Sequence, residues 1–191
     1  AEIGVVYSQR ALSIPSPRVG LLNIGEERAK GNDILKSVHK SLTAIDHINF
    51  IGNVEPGAMM KGAADVVVCD GLHGNLVLKT LESTAAFMSF QLKRQLSSSL
   101  PSRLGALFGM GALRRLKKTL DPNEYTGAPL LGVNGVVVIG HGSSSARGIA
   151  NLIHGAAQAA ETRVNEYICE GIGKMREADS IPDEQGQSIA Q

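Results

Sequence analysis

The sequence predicts an α/β fold built around a parallel sheet. Short apolar runs alternate along the chain with segments whose apolar residues recur at helical spacing, the pattern of repeated strand–helix–strand units. Many of the 22 glycines stand just after an apolar run, where a strand turns toward a helix. With 191 residues and 43% hydrophobic content, the chain is long enough for one substantial core.

Each element can be justified in order. The chain lacks an initial methionine and enters an apolar stretch at once (residues 3–7), as expected of a fragment or a processed chain. After two prolines, RVGLLN (residues 18–23) reads as a buried strand and residues 23–27 as a polar turn. Ile34, Leu35, Val38 and Leu42 give residues 32–44 one apolar helical face. INFI (residues 48–51) is a second strand, closed by Gly52 and Asn53, and a short helix near Met59 and Met60 leads to a third at residues 65–69. A long helix is expected from residue 75 to about 100, with Leu76, Leu78, Leu81, Ala85, Met88 and Leu92 as its apolar positions. A second short helix runs to about residue 120, and residues 121–129 form a loop. Residues 129–133 and 136–139 read as short strands around Asn134-Gly135, a tight-turn signal. Residues 140–143 then open a helix with Ile149, Leu152, Ile153, Ala156, Ala160, Val164 and Ile168 on one face. Residues 1–176 thus form the α/β portion, and the polar, acidic residues 177–191 read as a disordered tail. No internal repeat is visible.

Composition narrows the function. A net charge of +1, 4% aromatic residues and no tryptophan disfavour nucleic-acid modules that stack bases. Cys69 and Cys169 make neither a CxxC motif nor a zinc spacing, as suits free thiols in a reducing compartment. No segment reads as a signal peptide, and no apolar run is long enough to span a bilayer.

Open α/β sheets bind ligands outside the carboxyl ends of their strands. Three polar turns occupy such places, at residues 23–30, 70–75 and 141–143, and each leads into a helix. Helix N-termini present unpaired N–H groups, so these turns suggest a pocket for phosphate or another oxyanion. The candidate binding residues are Asn23, Gly25, Asp70, Gly71, Gly74, Lys79, Gly142 and Ser143; the candidates for chemistry are Lys30, Asn75 and His141. Each also has a plainer reading. Asn75 serves equally as a helix cap, Lys79 as a lysine held by Asp70, and His141 as a hydrogen-bonding turn residue. Cys69 reads as a core thiol. His39, His47, His73 and His154 lack partners at metal-ligand spacing, so no metal is expected.

A second feature is a charge pattern. No acidic residue lies between Ser83 and Leu120, while Lys93, Arg94, Arg103, Arg114, Arg115, Lys117 and Lys118 do. Among them stands LGALFGMGAL (residues 104–113). Apolar residues flanked by basic ones suit insertion into a membrane interface through Leu104, Leu107, Phe108, Met110 and Leu113. The alternative is a helical hairpin packed on a partner subunit. The basic residues would also attract an acidic protein.

With these motifs in view, residues 18–160 resemble the phosphate acyltransferases of bacterial phospholipid synthesis, the PlsX family. The resemblance rests on RVGLLNIGEE (18–27) followed by Lys30-Gly31, FIGN (50–53), ADVVVCDG (64–71), Gly74-Asn75, VLKT (77–80), YTGAPLLG (125–132) and HGSS (141–144), in that order. It implies transfer of a fatty acyl group from acyl carrier protein to inorganic phosphate, without metal or organic cofactor. It implies a Rossmann-like three-layer sandwich similar to the isocitrate and isopropylmalate dehydrogenases, used without nicotinamide, with residues 75–120 as a protruding helical arm. It implies a cytoplasmic homodimer attached peripherally to the inner face of the cell membrane. The family's functionally important lysine and asparagine fall on Lys30 and Asn75. Two departures stand beside the proposed pocket. Leu72 and His73 replace an aromatic and a small residue, and Ile139 stands where a lysine is frequent. The family is also nearly twice as long, so this chain corresponds to its C-terminal half. A phosphotransacetylase-like enzyme acting on small acyl thioesters and a non-catalytic module docking acyl carrier protein at the membrane remain the rival readings.

Overall fold

The structure, a computed structural model, describes residues 1–119, 127–140, 142 and 144–180. In chain order its elements are α1 (Glu2–Ala11), β1 (Val19–Leu22), α2 (Asp33–Thr43), β2 (Phe50–Val54), α3 (Pro56–Met59), β3 (Val66–Val68), α4 (Gly71–Leu96), α5 (Leu100–Phe108), α6 (Met110–Thr119), β4 (Ala128–Pro129), β5 (Val138–Ile139), α7 (Ala146–Glu161) and α8 (Val164–Ser180). The architecture is mixed α/β with a parallel sheet. Residues 120–126, where a loop was expected, His141, Ser143 and residues 181–191 lie outside the described residues.

The chain divides into two compact units. The first comprises Ala1–Val68, Pro129–Val137 and the chain from Ala156 on; the second comprises Cys69–Ala128 and Val138–Gly155. At the centre of the first unit is a three-stranded parallel sheet in the order β2-β1-β3. All four residues of β1 are buried, as the central strand of a parallel sheet requires. Val5 of α1, Val19 and Ile48 form a core cluster, with Ile45, Phe50, Val66 and Val68 packed on it. Helices α1 and α8 pack together, burying Val164 and Ile168, and the Arg10 guanidinium lies 3.6 Å from the centre of the Tyr167 ring.

The amino ends of β1 and β3 are held by one ion pair. Asp65 accepts from the Arg18 backbone N–H at 2.8 Å and from its Nε and Nη2 at 2.9 Å each. Arg18 Nη2 also donates to the Gly62 carbonyl at 2.8 Å. The Arg18 carbonyl accepts from the N–H groups of Asp65 and Val66. This clasp sets Val19 opposite Val66, and parallel pairing follows from there.

The structure corrects several sequence expectations. β2 runs on through Gly52 and Asn53 to Val54, because its pairing with β1 continues as far as Leu22. α4 begins at Gly71 rather than Asn75, because Asp70 supplies the cap four residues earlier than expected. The helix expected after it is two helices, divided at Gly109. The strands expected at 129–133 and 136–139 shrink to β4 and β5. Between them the Val133 and Gly135 carbonyls accept from the Asn165 side chain, so their hydrogen-bonding capacity goes elsewhere than a ladder. The apolar line from Ile149 to Ile168 is divided between α7 and α8. The chain breaks at Thr162 and Arg163, the latter with a φ of 52°. α7 itself starts at Ala146, three residues past Ser143.

The clasp makes an acid-dependent contribution to stability. Its hydrogen bonds from Arg18 hold the Asp65 carboxyl down at about 2, below the ordinary 3.8. A depressed carboxylate stabilises the fold fully above its unfolded pKa of about 4, and this contribution is lost as pH falls through the folded value. Unfolding by urea between about pH 5 and 2 should show this loss in the wild type and a flatter curve in Asp65→Asn. Parallel curves for the two proteins would refute the assignment.

Candidate functional site

In the first unit, the loop after β1 is built by two buried asparagines. Asn23 follows β1 and Asn53 lies in β2; they are 5% and 7% exposed. Asn23 Oδ1 accepts from the Ile24 N–H at 2.8 Å, and its Nδ2 donates to the Lys30 carbonyl at 3.1 Å. Asn53 Nδ2 donates to the Glu27 carbonyl at 2.8 Å. The Lys30 N–H closes the turn on that same carbonyl at 3.0 Å. Both amides thus spend their donors on loop carbonyls, and the loop folds back over the carboxyl ends of β1 and β2. Asn53 Oδ1 is buried with no donor among the described residues. Gly25 is buried in the loop and the Lys30 side chain is exposed. Gly31 closes the loop at a φ of +86°, where an added Cβ would lie 2.8 Å from Leu35 Cδ1 and 2.9 Å from Asn23 Oδ1. Helix α2 then starts on Asn32, whose Oδ1 accepts from the Leu35 N–H at 2.9 Å. The sheet order places β1 between β2 and β3, so the chain reverses direction of travel across the sheet after β2. The carboxyl end of β1 is therefore at the topological switch point of this strand order, where open sheets bind ligands.

In the second unit, the turn after β3 is dominated by Asp70. Its Oδ1 accepts from the N–H groups of Leu72 and His73 at 2.9 Å each, and its Oδ2 is in close hydrogen-bond contact with His73 Nδ1. These bonds, the His73 amide first and its ring second, hold the Asp70 carboxyl below the usual carboxylate range. Two amides that sequence reasoning offered to an anion are therefore taken by the protein's own carboxylate. The Gly71 N–H remains unclaimed in that turn among the described residues. Asn75 is exposed in the second turn and does not cap the helix. Lys79 pairs with Glu82 at 2.9 Å, not with Asp70. Cys69 is exposed rather than in the core. Partial desolvation of its sulfur, followed by the charge of Asp70, still pushes the thiol up, so it stays protonated at neutral pH. A Cβ on Gly74 would lie 2.7 Å from Cys69 Sγ, so the sulfur rests where only glycine leaves room. Gly142 is exposed; its neighbours His141 and Ser143 are outside the described residues.

The arm is also in the second unit. Helices α4, α5 and α6 border a groove of about 740 Å³, lined by Leu92, Leu96, Leu107, Met110, Leu113 and Leu116, with Lys93 and Arg103 beside them. The five expected membrane-contact residues therefore divide. Leu107, Met110 and Leu113 line the groove, whereas Leu104 and Phe108 do not; Phe108 is 93% exposed. Among the described residues, no helix is long and apolar enough to cross a membrane, and no three His, Cys, Asp or Glu side chains are grouped to hold a metal ion.

The asparagine that sequence reasoning missed as a site residue is Asn53. Its signal was the FIGN motif, which read as the end of a strand rather than the staple of a neighbouring loop.

Comparison with known proteins adds independent findings. The family described as fatty acid synthesis protein matches residues 1–167. The phosphate acyltransferase of Acidobacterium capsulatum is 44% identical over 168 residues, covering 88% of this chain and 50% of that protein. That of Brevibacillus brevis is 44% identical over 174 residues, covering 91% of this chain and 52% of the relative. That of Helicobacter pylori is 44% identical over 187 residues, covering 98% and 55%. The chain thus spans about half the length of the curated relatives it matches.

The loop's construction separates structural residues from the exposed lysine it carries. Asn23→Ala strips buried partners from the loop and should cost about 1–3 kcal/mol of stability by urea unfolding. Gly31→Ala should also destabilise, through its φ and its contacts. Lys30→Ala should melt like the wild type. A neutral Asn23→Ala would show that the loop does not depend on the staple.

Proposed function

The chain belongs to the fatty acid synthesis protein family, and from that membership we propose that the enzyme it helps to build moves a fatty acyl group from acyl carrier protein to inorganic phosphate, releasing acyl phosphate for phospholipid synthesis. The observation that carries this reading is the stapled loop after β1, which presents Lys30 beyond the end of a central parallel strand. That is where an α/β protein of this strand order meets an anion. The relatives' name, phosphate acyltransferase, supports the acyl transfer. The apolar arm favours a long-chain substrate over a small acyl thioester.

Hydrogenphosphate is already a nucleophile and a thiolate departs readily, so the reaction needs positioning more than a strong base. In this reading Lys30 carries the phosphate charge, with Asn23 and Gly25 shaping its loop. Asn75 donates to the oxyanion of the tetrahedral intermediate, and His141, Gly142 and Ser143 contribute from the turn before α7. No metal or organic cofactor takes part. We also propose that residues 1–176 complete a dehydrogenase-like sandwich together with the half of the relatives that this chain does not span, leaving 177–191 as a tail. The assembly is a homodimer on the inner face of the cytoplasmic membrane, with acyl carrier protein drawn by the basic arm.

The assay is phosphate-dependent formation of acyl phosphate from palmitoyl-acyl carrier protein, run on this chain alone and with the unspanned half supplied. Turnover in either arm is expected. Its absence from both, with folded protein, would overturn the reading. Lys30→Ala and Asn75→Ala should each lower kcat by about two to three orders of magnitude. Full turnover by both variants would remove these roles.

Membrane attachment has its own test. Leu104→Glu with Phe108→Glu should release the protein from anionic vesicles while leaving the groove residues intact. Undiminished vesicle binding would discard the arm as the contact.

A further inference from the structure

The groove of the arm lies wholly within the second unit, and the proposed chemistry leaves it unused. We propose that it binds one long acyl chain with an anionic head, and that its occupant is the acyl phosphate released by the reaction. This site rests on the acyl-transfer reading and adds a place for its product.

Three helices form the walls. Leu92 and Leu96 come from α4, Leu107 from α5, and Met110, Leu113 and Leu116 from α6. The volume of about 740 Å³ falls within the roughly 300–1,000 Å³ of sites that enclose a small ligand. Leu107 keeps 65% of its surface in water, so a guest that covers it is drawn in by the hydrophobic effect. Leucine and methionine side chains present no strong hydrogen-bonding groups, and methionine adapts its shape to what it touches. Such a lining suits a flexible hydrocarbon.

The charge beside the lining selects the head. Lys93 and Arg103 border the groove with Ser89 and Ser97. Arg103 Nε donates to the Ser97 carbonyl at 3.2 Å, which ties the guanidinium to the end of α4. The Lys93 ammonium has no partner among the described residues. No acidic residue stands between Ser83 and Leu120, and Glu82, just before this interval, is paired with Lys79. An apolar cleft bordered by cations is complementary to a phosphate carried on a hydrocarbon tail.

Position along the helix identifies that molecule as product. Lys93 stands roughly 27 Å further along α4 than Asn75. One head group cannot meet both, so a phosphate held at Lys93 has left the group that serves the transfer. Leu104 and Phe108, the residues assigned to the membrane surface, do not line the groove. Holding a single chain and touching a bilayer therefore use different side chains.

The test titrates dodecyl, tetradecyl and hexadecyl phosphate into the full chain by calorimetry, each below its critical micelle concentration. These alkyl phosphates are stable stand-ins for acyl phosphates. One molecule should bind per chain, and each loss of two carbons should weaken binding roughly tenfold. Lys93→Gln leaves the apolar lining intact; it should weaken dodecyl phosphate about tenfold and leave dodecanol unchanged. Leu113→Gln should weaken both. Leu104→Ser with Phe108→Ser should bind all three phosphates as the wild type does. Indifference to tail length, wild-type affinity for the phosphate in Lys93→Gln, or loss of binding in the Leu104 and Phe108 variant would overturn the site. A dimer in sedimentation that Leu113→Gln dissociates would also overturn it, because a second copy would then fill the groove. Turnover of palmitoyl-acyl carrier protein is measured on the same samples, with the unspanned half supplied where required. Acyl phosphate made by a wild type that binds none of the probes would overturn the groove and leave the acyl-transfer reading standing. A wild type that binds them but makes no acyl phosphate would overturn that reading and, with it, the product as occupant.

Discussion

The central strand β1 is the constraint on which the first unit depends. It is buried along its whole length and flanked by parallel neighbours, so every backbone group must find its partner in the ladder. The Arg18–Asp65 clasp settles where that ladder begins. Once Val19 stands opposite Val66, the carboxyl ends of the strands are fixed as well. A one-residue slip would invert the faces of a strand whose residues are all enclosed. The position of the loop that carries Lys30 is therefore set at the opposite end of the strand from the loop itself.

At the carboxyl ends the polar groups meet two different treatments. After β1, neutral amides from Asn23 and Asn53 satisfy loop carbonyls and leave a charged side chain facing outward. After β3, a carboxylate satisfies helix amides and engages an imidazole. The first arrangement holds its loop with neutral amides, while the loop itself sets Glu26 and Glu27 among the basic side chains of Arg28 and Lys30. The second consumes the positive pole of a helix, so α4 attracts anions less than its position alone suggests.

Much of this was legible in the chain. The β-branched run at Val66 to Val68 and the enclosed run at Val19 to Leu22 were strands by composition, and the spacing of Ile34, Leu35, Val38 and Leu42 marked α2. Errors arose where one residue had two plausible uses. Gly52 and Asn53 looked like the end of β2, but ladder pairing outweighed their weak strand preference. Gly71 and Gly74 looked like a turn, but the cap on Asp70 made them the first turn of a helix. Lys79 was paired with the wrong acid because Glu82 lies one turn ahead on the same helix. The 23–30 loop was legible as a polar turn at a strand end. Which of its residues are structural depends on carbonyls that carry no sequence signature. The arm was legible as apolar and basic. Its outward residues were not, because Gly109 restarts the helical phase between α5 and α6.

The exposed apolar surface of the arm has a consequence in mass action. Phe87, Met88, Phe90, Leu104, Leu107 and Phe108 each keep more than half of their surface in water. That exposure carries a free-energy cost of roughly 25 cal/mol per Å². A second copy or a lipid interface that covers this surface in the folded chain, and binds it better than the unfolded one, stabilises the fold. If either does so, the melting temperature becomes a function of concentration and of the interfaces present rather than a constant of the sequence.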